Sequence, residues 1–202
     1  MTVMAKKQNK LPNRDRIIAA AARLFLTTGF EATTFAGIAK EVGISQPAIY
    51  NYFDSKMDLL KAVCLTAADT GRTFIDARID SNRKAPERLH AYIEANLFFF
   101  CEHRVHAHSM MALYYFAAVD SGLKTIFDQV QEKGILRIES YLIHGEFEKA
   151  WKVKKKRVLA EQIHSLIVGE SYKAVYSIGK PAVRARATAL WHLTKSILAS
   201  AS

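Results

Sequence analysis

TTFAGIAKEVGISQPAIYNYFDSKMDLL, residues Thr33 to Leu60, is the stretch whose spacing decides the fold. Ala39, Gly43 and Ile49 lie four and then six residues apart. Two helices that cross steeply need a small residue where they touch, which Ala39 supplies. The tight turn between them needs a residue that tolerates a left-handed backbone, which Gly43 supplies, and Ile49 anchors the second helix. Thr34 is placed to cap the first helix, whose inward face is Phe35, Ile38, Ala39 and Val42. Ser45 is placed to cap the second, about Gln46 to Tyr52, with Pro47 tolerated in its first turn.

On that second helix Ile49 and Phe53 share one face at i, i+4, so Gln46, Pro47, Ala48, Tyr50 and Asn51 point away from the core. The outward set suits duplex DNA. Gln can bond an adenine edge bidentately, Pro and Ala can touch a thymine methyl, and Tyr and Lys56 can reach phosphates. The same spacing also fits a small helical hairpin with a wetted polar face. The candidate contacts are Thr34, Phe35, Ser45, Gln46, Pro47, Ala48, Tyr50, Asn51, Tyr52 and Lys56.

Thr33, Thr34, Ile38, Ala39, Gly43, Ile44, Ser45, Ile49, Tyr50, Tyr52, Phe53, Lys56 and Leu59-Leu60 together resemble the amino-terminal signature of the TetR family of bacterial transcriptional repressors. Gln46-Pro47 also resembles the start of that family's recognition helix in the tetracycline repressor. The likeness covers about Arg14 to Val63, and beyond it the family is recognised by helix layout. It implies an all-α fold of about nine helices: a helix-turn-helix domain over 13–55, then an effector-binding and dimerisation domain over 56–202. It further implies a homodimer on a palindromic operator and a lever helix joining the two parts. The middle helices would surround an effector cavity.

Composition sets bounds consistent with this. The chain has 202 residues, half of them apolar, enough for a folded core. Twenty-nine Lys and Arg against 19 Asp and Glu leave a net charge of +10, which favours a polyanionic partner. Residues 149–157 hold six of the basic groups, and no acid follows Glu170. Cys64 and Cys101 form no CxxC or CxxH pattern, so neither a disulfide framework nor a zinc cluster is indicated. No apolar run reaches the roughly 18 residues of a membrane span, and MTVMAKKQNK lacks a signal-peptide segment. A bacterial cytoplasmic protein is expected, without membrane partner or cofactor.

Residues 1–12 carry Lys6, Lys7 and Lys10 without periodicity and read as a flexible basic arm, either a solvated tail or an added phosphate contact. Asn13 is placed to cap a helix to about Thr28, with Ile17, Ile18, Ala21, Leu24 and Phe25 on one face and Gly29 at its end. Asp54-Ser55 opens a fourth helix from Lys56, with Leu59, Leu60, Val63, Thr66 and Ala67 facing inward. Lys56, in its first turn, is placed to hold a phosphate. Later breaks are expected at Ser81 to Pro86, His103 to His108, Asp120 to Gly122, Trp151 to Lys156 and Gly179 to Pro181. The run Lys154 to Lys156 reads as a solvated turn or a second DNA contact.

Leu97 to Phe100 and Met110 to Phe116 hold more aromatic and Met surface than one helical stripe can bury. Core accounts for it; under the resemblance it also suits a pocket for a small apolar or aromatic effector. The candidate lining is Cys64, Phe74, Phe98, Met110, Tyr114, Phe127 and His164. The last two helices, about Arg157 to Ile178 and Ala182 to Ala199, show apolar steps of three and four. Leu159, Ile163, Leu166, Ile167, Val183, Ala187, Leu190, Trp191, Thr194 and Leu198 are either core or, as the resemblance implies, a symmetric dimer interface. His103, His106 and His108 straddle a break without a further ligand pattern, and read as a turn rather than a metal site. No GxSxG, GxGxxG or Walker loop is present, so no catalytic residue is proposed. Two other classes remain beside a ligand-responsive repressor: a non-specific basic DNA-coating protein, and a helical small-molecule-binding domain with an incidental hairpin.

Overall fold

The computed structural model describes residues 13–200, and the basic arm expected at 1–12 lies outside them. Among the described residues the chain is all-α, with no strand. The elements are α1 (Asn13–Thr27), α2 (Phe35–Val42), α3 (Gln46–Tyr50), α4 (Lys56–Asp76), α5 (Ala85–Glu102), α6 (Arg104–Phe116), α7 (Ser121–Phe147), α8 (Lys156–Ala174) and α9 (Gly179–Ser200). They form two compact units, the first ending at Val63 and the second starting at Cys64, so the residues of α4 belong partly to each.

In the first unit α1 packs on α2, and α2 on α3. Ile17, Ile38, Ile49 and Leu59 are fully buried, and Ala39 and Phe53 nearly so. Thr34 caps α2 as its type predicts: its hydroxyl accepts from the Gly37 amide at 3.1 Å. Gly43 ends α2 at φ 74°, and its amide donates to the Ala39 carbonyl at 2.9 Å. That left-handed turn redirects the chain into α3 within three residues. Ser45 stands at the α3 N-cap position but makes no side-chain cap bond. Asn13 Oδ1 accepts from the Arg16 guanidinium at 3.0 Å, a side-chain pairing rather than the expected backbone cap. Helix α3 stops at Tyr50, two residues earlier than its pattern suggests. Thr66 on α4 is exposed, and Ala62 and Cys64 are buried in its stead.

The second unit is organised around α5, which packs on α6, α7, α8 and α9. Its run Leu97 to Phe100 is buried throughout, since neighbouring helices cover it on several sides. The first amide of α5, on Ala85, donates to Glu148 Oε2 at 2.8 Å, so an acid from the end of α7 satisfies a donor the helix cannot. Asp120 caps α7 by accepting from the Leu123 amide at 2.8 Å. The break expected over His103 to His108 is a single residue, His103; His106 and His108 lie within α6. His103 stacks on Phe99 with ring centroids 5.3 Å apart and meets Phe74 edge-on at 4.8 Å, so the cluster packs as an aromatic group.

Replacing Gly43 with Ala puts a side chain at a left-handed position, costing roughly 1 to 2 kcal/mol. Urea unfolding monitored by circular dichroism is expected to show that loss, whereas Gly37→Ala, inside α2, should be neutral or stabilising.

Candidate functional site

Two features of the molecule have the chemistry of a site, one in each unit. In the first, burial of Ile49 and Phe53 sends the other residues of α3 to solvent. Gln46, Pro47, Tyr50, Asn51 and Tyr52 are exposed and Ala48 is half-exposed. Tyr50, 52% exposed, is braced from below by Phe35, whose ring meets it edge-on at 5.0 Å. Phe35 itself is only 7% exposed, which corrects its place among the candidate contacts: it is core, and it acts on the face through Tyr50. Thr34 is exposed but its hydroxyl is occupied by the cap.

Lys56 also departs from expectation. Its ammonium donates to the carbonyls of Phe30 at 2.8 Å, Glu31 at 2.9 Å and Thr33 at 3.3 Å, and lies 4.6 Å from the Phe30 ring centroid. All three donors of the group are thereby used within the unit, so Lys56 is a clamp on the α1–α2 loop rather than an offered phosphate ligand. Arg16 performs a related task, donating to the Val42 carbonyl at the end of α2. Arg23 and Glu41 join α1 and α2 at 2.7 Å on the surface. Lys40, exposed in the last turn of α2, is a cation of this unit that pattern reading did not single out.

The second feature is a cavity of about 440 Å³ inside the second unit. Residues of α4, α5, α6, α7 and α8 line it, among them Ile75, Phe99, Phe100, Leu113, Ile167 and Tyr172. Of the seven residues expected there, Met110, Tyr114, Phe127 and His164 line it, and Cys64, Phe74 and Phe98 do not. Cys64 is buried, its thiol donating to the Ser109 carbonyl at 3.4 Å, and burial pushes that thiol up to about 12. Phe74 packs instead against Phe99 and His103, with the Arg78 guanidinium 3.3 Å from its ring centroid. Phe98 points from the helix face opposite the cavity side taken by its neighbours Phe99 and Phe100.

The lining mixes its apolar side chains with polar ones, Tyr92, Asn96, Gln131, His164 and Tyr172 among them. His164 is 8% exposed; its Nε2 lies 3.0 Å from Gln131 Oε1, and burial lowers its pKa, keeping the ring neutral. Gly134 faces it: a Cβ there would come within 2.5 Å of the imidazole, so the glycine makes room for the ring. Arg137 is tied to Asp76 at 2.6 Å and Arg72 to Asp69 at 3.3 Å. Gln131, Ser171 and Tyr172 were missed in the sequence. The signal was present in α7 and α8, where Phe127, Gln131 and Gly134, and His164, Ile167 and Ser171, repeat at steps of three and four.

The residues expected at a dimer interface are mostly interior to the chain. Leu159, Ile163, Ile167, Val183, Ala187, Leu190, Thr194 and Leu198 are buried, with Leu166 and Trp191 partly buried against the same core. The periodic stripe is the inward one because α5 lies beneath both helices. Their outward faces carry Val158, Gln162, Leu193 and Ser196 instead.

Residues 17–63 match the model of bacterial regulatory proteins of the tetR family. The match spans the helix-turn-helix segment, under a quarter of the chain. Among curated relatives, the transcriptional activator FasR of Mycolicibacterium smegmatis is 31% identical over 101 residues, covering 48% of this chain and 46% of the relative. The chain thus matches less than half the length of that relative. A solved transcriptional regulator from Rhodococcus sp. RHA1 superposes with TM-score 0.76 at 17% identity, covering 93% of this chain and 96% of the other. A second, from Saccharomonospora viridis and solved in complex with choline, has TM-score 0.79 at 19% identity over 90% and 95%. At such identities the likeness speaks to the fold alone. No helix of the described residues is long and apolar enough to cross a membrane.

If Lys56 is a clamp, Lys56→Met should lower stability by roughly 1 to 3 kcal/mol by leaving part-buried carbonyls unpaired. Thermal unfolding of the purified variant measures this; an unchanged midpoint would return Lys56 to the surface role.

Proposed function

We propose that the protein is a sequence-specific DNA-binding transcriptional regulator, acting as a homodimeric cytoplasmic repressor that releases a palindromic operator when a small, largely apolar effector occupies the cavity. The observation that carries this reading is the α3 face: Gln46, Pro47, Tyr50 and Asn51 stand in solvent on a helix pinned by buried Ile49, within the segment that matches the family. Gln46 and Asn51 supply base-edge hydrogen bonds, Pro47 and Ala48 apolar contact, and Tyr50 and Tyr52 phosphate contact. A helix this short reads few base pairs, so two copies on a two-fold site are needed for affinity and selectivity.

We place the partner copy on the outward faces of α8 and α9. Leu193, 47% exposed, and Val158 sit there with only small or polar neighbours such as Gln162 and Ser196. The effector acts through α4, whose residues Ala68, Arg72 and Ile75 line the cavity and whose first turn belongs to the DNA-binding unit. An effector can release DNA only to the extent that it binds the DNA-free conformation more tightly than the bound one. Activation, the role in the name of the FasR relative, is the second reading, and a reporter gene behind the operator separates the two by the sign of the response.

Footprinting on the DNA upstream of its own gene, with unrelated competitor at physiological salt, is expected to show a two-fold symmetric protected site. Gln46→Ala combined with Tyr50→Ala should weaken that site roughly ten- to a hundredfold and shrink its preference over unrelated DNA, while helicity and dimer are kept. Equal loss to competitor for the unaltered protein would put the operator elsewhere or favour a non-specific coating protein. For the interface, Leu193→Glu is expected to yield monomers in sedimentation velocity without a change in helicity; dimers that persist would move the interface elsewhere.

A further inference from the structure

Residues 149–157, most of which connect α7 to α8, hold Lys149, Lys152, Lys154, Lys155, Lys156 and Arg157 and no acid. Lys156 is taken by Glu146 at 2.6 Å and by the Val153 carbonyl at 2.9 Å, and Arg157 by Glu132 at 2.6 Å and Glu161 at 2.9 Å. The other four are exposed, and none has an ion pair or side-chain hydrogen bond among the described residues. Lys84, likewise exposed and without a carboxylate partner, is brought to the same loop, because the next amide, on Ala85, donates to Glu148 beside Lys149. Elsewhere in the unit exposed cations such as Arg72, Arg83, Lys124, Lys173, Lys180 and Arg184 each meet a carboxylate.

The backbone under these lysines is fixed. The Ala150 amide donates to the Gly145 carbonyl at 2.8 Å and Trp151 Nε1 to the Leu142 carbonyl at 2.9 Å. Gly145 makes room for the Trp151 ring, which a Cβ there would approach within 2.2 Å, and Val153 is buried. Gathering like charges on a held loop costs the folded state, so the fold does not account for them; an opposite charge from outside does.

The distribution of charge along the chain says which polyanion. Residues 13–63 carry six Lys and Arg against five acids, and 64–202 carry twenty against fourteen. Within 13–63, Arg16 and Lys56 bond backbone carbonyls, and Arg23 and Lys61 meet carboxylates. Arg14, over the Phe53 ring, and Lys40 are what that unit has left for phosphates. Affinity for a duplex grows with the number of phosphates neutralised, so the α3 unit carries base-reading groups with little of the charge that DNA binding draws on.

Resting on the reading of the protein as a DNA-binding regulator, we propose that Lys84 and the free lysines of the α7–α8 loop form a second surface, separate from α3, for the phosphate backbone of duplex DNA. It reads no sequence, since ammonium groups on phosphates act as point charges.

The test is the salt dependence of binding of the full chain to an unrelated duplex, followed by fluorescence anisotropy. Lys149→Gln, Lys152→Gln, Lys154→Gln and Lys155→Gln together are expected to make the log–log slope shallower by roughly two to four and to lower affinity roughly tenfold or more, while the operator footprint keeps its position. Two matched pairs control for net charge: Lys152→Gln with Lys154→Gln should shift the slope, and Lys133→Gln with Lys195→Gln should not. If the fourfold variant loses helicity, the pairs carry the test. Equal shifts from both pairs, or none from the loop, overturn the inference while DNA binding stands. A loop variant that loses retention on poly-glutamate with its DNA slope unchanged also overturns it, and assigns the loop to an acidic protein. No duplex binding by the unaltered chain overturns both this and the regulator reading.

Discussion

A five-residue helix cannot hold its own shape in water, and the exposed face proposed to read DNA rests on the contacts that hold α3 in place. Ile49 and Phe53 are its roots, both buried, with α3 packed on α2 and Arg14 of α1 over the Phe53 ring. Gly43 aims it, through a turn that only a residue free of a Cβ adopts without strain. Lys56 then ties down the loop before α2 through three carbonyls, and Phe35 stands under Tyr50. Rigidity matters here because base-edge hydrogen bonds discriminate only when their donors and acceptors arrive already oriented.

The second unit solves a different problem. Its helices must bury a large apolar surface yet leave a volume unfilled, and an interior void is unfavourable unless something occupies it. The helices around α5 therefore close most of their faces on one another, with Phe98 and the inward stripes of α8 and α9 as core, while Phe99, Phe100, Met110 and Phe127 border the open space. The fit of His164 against Gly134 shows that the shape of this space is specified residue by residue. An imidazole kept neutral by burial and a serine without a protein partner give it a chemical character beyond being apolar.

Much of this was legible beforehand. The breaks at Lys84, Asp120 and Gly179, the cap at Thr34 and the turn at Gly43 all follow from local rules, since caps, glycine and proline act within a few residues. What local rules leave out is also of one kind. Lys56 was given to DNA because a lysine in a first turn looks available, and nothing in its neighbourhood in the sequence reveals carbonyls 23 to 26 residues away. Phe35 was given two roles because spacing at steps of three and four does not say how deep a ring sits.

Sequence by itself determined the helix-turn-helix and its outward set, because a turn of fixed length between two short amphipathic helices leaves one geometry. It also determined that α8 and α9 carry apolar stripes. Only the tertiary structure decided that those stripes face α5 rather than a partner, that Cys64, Phe74 and Phe98 stand outside the cavity, and that Ser171 and Gln131 stand within it. The reason is physical: periodicity reports that a helix has a buried face, whereas what covers that face is set by elements far away in the chain.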